Sequence, residues 1–152
     1  MKAHIGVDAD GGLVHSLATM AANEAGVEQV ADLLHGKEKQ VWAESGYRGA
    51  QTRVSRDDLQ WHIAARPSDI AKLPEGRAKA RVQKKEHNKA SARAKVEHPL
   101  RVIKRQFGLA KVRVKGLQKN TAHLLTLFAL SNLWMARRQL IALMGQVRSK
   151  AA

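Results

Sequence analysis

The sequence predicts one α/β domain, on three observations: two short strands joined by a tight turn at the start, two more strands after a helical stretch, and a helical second half. At 152 residues the chain can bury one compact core and is too short for two. We divide this single domain, 1–152, into strands plus a helix over 1–71, a basic helical region over 72–119 and an apolar C-terminal helix over 120–146.

Each element has its own signal. Residues 2–8 and 13–19 read as strands, and Asp8-Ala9-Asp10-Gly11-Gly12 between them supplies the residues a hairpin turn needs. Two aspartates beside two glycines also suggest a metal loop, but turn chemistry explains them as well. Asn23 is placed to cap a helix over 24–35, with Val27, Val30, Ala31 and Leu34 as its apolar stripe and Gly36 as its stop. Residues 40–43 form a short strand leading into Glu44-Ser45-Gly46-Tyr47-Arg48-Gly49, and 59–65 form another, with Trp61 and Ile63 on one face. Pro67 and Pro74 bracket a polar loop. From 75 to 106 the pattern is helical, with a kink or break expected near Glu97–Pro99 because an interior proline removes a hydrogen bond. Lys111-Val112-Arg113-Val114-Lys115 alternates strictly and predicts an extended segment with one basic face. The last helix, 121–144, carries Leu124, Leu127, Phe128, Leu130, Trp134, Leu140, Ile141 and Met144 as a broad apolar band, either core or interface.

Composition narrows the function. There is no cysteine, so disulfides and thiolate metal sites are excluded, in keeping with a reducing compartment. No apolar run follows the N-terminus, and the longest uncharged stretch, 120–136, falls short of a membrane span; we expect neither a signal peptide nor a membrane location, but a cytoplasmic protein. The net charge of +14 is unevenly spread. Residues 1–71 hold 7 Lys/Arg against 10 Asp/Glu, residues 72–119 hold 16 against 3, and residues 120–152 add 4 with no acid. A positive field concentrated in one third of the chain favours a polyanion through counterion release. Nucleic acid is the first candidate; an anionic membrane surface is the lesser one, since no apolar face accompanies the basic run. A solvated basic helix is the plain alternative.

The most specific pattern is Arg93-Ala-Lys-Val-Glu97-His-Pro-Leu-Arg-Val-Ile-Lys104. An Arg precedes the Glu by four positions and a Lys follows it by seven, so on a helix all three share a face. That face could present a carboxylate to a metal while two cations hold phosphates; an ordinary solvated Arg–Glu pair would look the same in isolation. His4, His15, His87 and His98 show no spacing typical of paired metal ligands, and Trp42, Trp61 and Trp134 sit in apolar patterns that favour packing over base stacking.

This segment resembles the Tyr-x2-Arg-x3-Glu-x6-Lys signature of bacterial insertion-sequence DDE transposases, with Ala90 where the signature has Tyr. Residues 96–108, 116–120 and 128–136 are similar to the insertion-sequence-five group, and residues 1–9 to an internal segment of those proteins. The resemblance implies a ribonuclease-H-like layer fold, N-terminally incomplete, with C-terminal helices. It implies Mg²⁺ or Mn²⁺ held by carboxylates, with two ions clamping the attacking and leaving oxygens of a phosphodiester. Glu97 takes the position of the glutamate ligand and Glu44 that of the second aspartate, one methylene longer; both would be catalytic and metal-binding. The first aspartate would lie on a strand upstream of residue 1, so we expect a chain inactive alone. Asp8 and Asp10 align with a neighbouring hairpin and do not replace it. Arg93, Lys104, Arg101, Arg105, Lys111, Arg113 and Lys115 would contact double-stranded DNA, as transposon end or target. The implied partners are that DNA and either a second copy or a full-length transposase. Two other readings compete: a non-catalytic remnant that regulates transposition, and an unrelated basic protein, for example an RNA-binding one.

Overall fold

The computed structural model describes residues 1–112 and 114–150, the last six in their backbone only. It is a mixed α/β structure with two small sheets. Strands β1 (Lys2–Val7) and β2 (Val14–Met20) form an antiparallel hairpin, and β3 (Gln40–Ala43) and β4 (Gln60–Ile63) form a separate parallel pair. Between β3 and β4 lies the one-turn helix α1 (Ala50–Arg53); α2 (Pro67–Ala71), α3 (Arg77–Arg93), α4 (Glu97–Arg105) and α5 (Leu117–Lys150) complete the described chain.

The hairpin turn is made by the residues expected of it. The Asp8 carboxylate accepts the Gly11 N–H, and Gly12 N–H donates to the Asp8 carbonyl at 2.9 Å. That bond from Gly11 holds the Asp8 carboxyl below its usual range, which marks it as a turn residue.

The main core lies between hairpin, α4 and α5. Ile103, Leu124, Leu127 and Phe128 are buried there, with Ile5, Val14, Leu17 and Leu100 packed around them. Two polar pins fix α5 along β2. The Asn132 side chain accepts from Val14 N–H at 2.9 Å and donates to the Val14 carbonyl at 2.7 Å, as a neighbouring strand would. The Thr19 and Thr121 hydroxyls meet at 2.6 Å.

Helix α3 is attached differently. It has no fully buried residue; its half-buried positions Lys79, Val82, Glu86, Lys89 and Arg93 recur every three or four residues along one face. Glu86 Oε2 accepts the Ala65 N–H at 2.9 Å, and Lys89 Nζ donates to the Ile63 carbonyl at 2.8 Å and to Glu86 Oε1 at 2.7 Å. These bonds latch α3 onto the end of β4.

Several expectations need correction. Residues 24–35 are not one helix but two 3₁₀ turns, Gly26–Gln29 and Ala31–Leu33, and Asn23 caps neither. Val27, Val30 and Leu33 are the inward residues, and their spacing of three suits the tighter turn, in which i and i+3 eclipse. The approach of this segment to β1 requires Gly6, where a Cβ would lie 2.6 Å from the Leu33 carbonyl oxygen. The loop between Pro67 and Pro74 contains α2, started by Pro67 at its first position, where a missing N–H costs nothing. The break expected near Glu97–Pro99 is present, centred one turn ahead of the proline: the 3₁₀ turn Ala94–Val96 separates α3 from α4. Pro99 is buried in the first turn of α4, where proline is tolerated. Lys111, Val112, Val114 and Lys115 are not in a strand: both valines are exposed, and among the described residues no strand pairs with them to use the alternation. Arg113 lies outside the described residues. The final helix begins four residues earlier than the sequence suggests, at Leu117.

Candidate functional site

Helix α4 carries its charges where its packing leaves them free. Pro99 and Ile103 turn inward, so residues three and four positions away from each other on the other side face solvent together. Glu97, Arg101, Lys104 and Arg105 are exposed and, with Leu100, line a cleft of about 240 Å³. A second cleft of about 440 Å³ lies beside it, lined by His98, Arg101, Val102, Arg105 and Gln106. Arg101 and Arg105 belong to both. None of Arg101, Lys104, Arg105, Lys111 and Lys115 forms an ion pair among the described residues. Glu97 sits in the first turn of α4 and Lys104 and Arg105 in the last, so each charge also opposes the helix dipole favourably.

Arg93 stands apart from this cleft. It ends α3 half-buried, its Nε enclosed without a hydrogen-bond partner, and its charge acts on Glu86. Burial works to raise the Glu86 carboxyl, but Lys89 and the Ala65 N–H outweigh it, and the net shift is downward.

Glu44 follows β3 and is exposed. Its carbonyl accepts the Tyr47 N–H at 2.9 Å, closing the 3₁₀ turn Ser45–Tyr47. The Tyr47 hydroxyl lies 2.6 Å from His4 Nδ1 on β1, which ties the end of one sheet to the other. Burial, aided by the Glu44 charge, pushes the Tyr47 hydroxyl up to about 12; burial and Lys2 lower His4 against a smaller opposing effect of Glu44. Glu44 is therefore set among a neutral imidazole and a neutral phenol. Of the remaining histidines, His15 packs edge-on to His35 at 4.8 Å, and His87 is exposed on α3. Trp42 stacks on its strand partner His62, Trp61 is half-buried, and Trp134 is exposed with Arg137 over its ring at 4.2 Å, outside the core expected for it.

His98 was weighed from sequence only as a metal ligand, and Gln106 was not singled out. A helical projection of α4 would have placed both in this cleft, since His98, Val102 and Gln106 recur at steps of four.

With this geometry in place, the comparison with known families is decisive. The transposase DDE domain family matches residues 1–133. The chain belongs to that family. No solved structure matches it. Membership in the DDE family implies a ribonuclease-H-like fold, with which the mixed α/β architecture agrees, and a transposase function on DNA. DDE transposases use divalent metal, so the donor set can be tested. Among the described residues, no group of three or more His, Asp or Glu side chains lies close enough to hold an ion. Glu44 and Glu97 are thus two exposed carboxylates on separate elements without a third donor beside either, and they do not fit the metal site that the resemblance implies. No helix among the described residues is long and apolar enough to cross a membrane.

Proposed function

We propose that this chain is the DNA-holding part of a DDE transposase of the insertion-sequence-five group, and that the exposed cations of α4 are its grip on the duplex backbone. The observation that supports this most is the pair of clefts sharing Arg101 and Arg105, with Lys104 beside them and no competing carboxylate other than Glu97. Phosphate oxygens would satisfy these guanidinium groups, which present donors in a planar fork. Lys111, Arg113 and Lys115 would extend the contact, and Arg93, anchored near Glu86, would order the turn that leads into Glu97. Metal-dependent strand transfer needs more carboxylates than Glu44 and Glu97 provide, so the chain by itself binds DNA without cutting it, and Mg²⁺ or Mn²⁺ would be held productively only with a further donor.

The test is fluorescence anisotropy with duplex DNA over a series of salt concentrations. A log–log slope of about −0.9 per phosphate contacted is expected. Arg101→Ala with Arg105→Ala should flatten that slope by about two such contacts while leaving the thermal midpoint in place. A slope near zero for the natural chain would remove the DNA reading. Incubation with supercoiled DNA in Mg²⁺ or Mn²⁺ should give no cleavage; cleavage that vanishes in Glu97→Gln would show a competent site instead.

A further inference from the structure

Around α4, at about 100° per residue, the exposed arc has a ridge and two unlike flanks. Arg101 and Arg105 form the ridge, which is why both line each of the two clefts. On the side of the smaller cleft stand Glu97 and Lys104, both charged. On the side of the larger stand His98, Val102 and Gln106, one above the other at steps of four, a flank without Lys, Arg, Asp or Glu. His98 and Gln106 are exposed and Val102 is half-buried. Gln106 engages its backbone N–H with the Val102 carbonyl at 2.8 Å. Its side-chain amide, like the His98 ring, has no hydrogen-bond partner among the described residues. An imidazole, an isopropyl group and a primary amide thus form a row ~12 Å long at 1.5 Å per residue.

The two flanks suit different parts of a duplex. Phosphates offer only acceptor oxygens and favour cations, which ridge and Lys104 supply; a neutral amide releases no counterion there. Base edges ask for what the other flank has. In the major groove adenine presents the N7 acceptor beside the N6 donor, a pattern that a glutamine amide matches with one donor and one acceptor of its own. The thymine methyl group is recognised by apolar contact. We infer that Arg101 and Arg105 run along the phosphates of one DNA strand while α4 turns its His98–Val102–Gln106 flank into the major groove, where Gln106 reads an adenine and Val102 a thymine methyl group. Sequence preference is thereby added to the DNA-holding role proposed above, on which it rests. Val102 and Gln106 lie ~6 Å apart along the helix, close to two base-pair steps of ~3.4 Å, so the two preferred bases fall two positions apart. The groove required is that of B-form DNA, since the major groove of duplex RNA is too deep and narrow for side chains to read.

The probe is a pool of short DNA duplexes randomised over their central pairs, bound by the full chain and sequenced before and after selection. The natural chain should enrich an adenine at one position by about tenfold, with a weaker thymine preference two pairs away. Gln106→Ala should erase the adenine preference and leave the salt slope of binding unchanged, because no phosphate contact is lost. Gln106→Arg should move that preference from adenine to guanine, a switch that a merely structural residue would not produce. Arg101→Ala with Arg105→Ala should do the reverse of Gln106→Ala, flattening the slope while the bases preferred stay the same. Bound duplexes without enrichment, or enrichment unchanged in Gln106→Ala, would overturn the inference and leave the DNA-holding role standing. A natural chain without salt-dependent binding would remove both.

Discussion

Around the β1–β2 hairpin, Ile103, Leu124, Leu127 and Phe128 exclude water between strands and helices; around β3 and β4, hydrogen bonds and ion pairs make the corresponding joins. There Glu86 and Lys89 hold α3 by its polar face, and Arg56 bridges Glu38 and Asp58 in the approaches to the two strands. Buried apolar surface gives stability nearly independent of salt and pH, whereas hydrogen-bonded charges give less and give it conditionally. The α4 cations therefore stand on the firmer region, and the Glu44 corner is carried by the more conditional one.

Truncation in the apolar region should have the largest effect. Phe128→Ala is expected to cost about 3–5 kcal/mol, read as a lowered midpoint in denaturant at unchanged slope. A loss under 1 kcal/mol would mean that the core is not where the fold is held. Glu86→Ala should cost less, about 1–3 kcal/mol, because it strands the Ala65 N–H and the Lys89 ammonium. Its signature is local: amide hydrogen exchange should accelerate along α3 and at Ala65 before it does in α5. Uniform acceleration would instead make the two regions one cooperative unit.

The same comparison shows what could be read from sequence. The first hairpin was legible from the Asp and Gly residues of its turn, and the long apolar helix from the 3.6-residue stripe at Leu124–Phe128; strict period-two alternation misled at 111–115, where both valines are exposed. Failures cluster where polar contacts decide. Nothing in the composition of 94–96 separates a 3₁₀ turn from helix, and the Glu86–Ala65 latch joins residues whose proximity depends on the whole fold. For the candidate site, spacing put Arg93, Glu97 and Lys104 on one helical face; α4 does bring Glu97, Arg101, Lys104 and Arg105 to one cleft, but the 3₁₀ turn at 94–96 leaves Arg93 apart from it. The surroundings of Glu44 were not legible, since His4 and Tyr47 meet across 43 positions of sequence.

Asn132→Ala should cost about 1–2 kcal/mol by leaving both Val14 backbone groups unpaired, and Asn132→Gln should not restore it, its amide being one methylene too far out. The smallest effect is a pH dependence. Burial lowers the pKa of both His4 and His15 from the ordinary 6.5, so the unfolded chain binds protons more readily than the folded one. Their contribution to stability is complete above 6.5 and is lost as pH falls below it toward the lowered folded-state values. The thermal midpoint should drop between pH 7 and pH 5, with a shallower drop in His4→Gln with His15→Gln; an unchanged profile would remove these imidazoles from the account.

The two pins between β2 and α5 also act as matched rulers. From Val14 to Thr19 is five strand steps, and from Thr121 to Asn132 eleven helical steps; at ~3.3 Å and 1.5 Å per residue both distances come to about 16.5 Å. Strand and helix therefore agree in length only over this interval and only in opposite directions. One residue inserted between Val14 and Thr19 shifts one mark by ~3.3 Å and turns the strand over. Two residues inserted in the helix would restore the length but rotate Asn132 by more than half a turn, away from Val14. Substitution can vary within these intervals, but their lengths cannot, and a chain that gains or loses a residue there must give up one of its two pins.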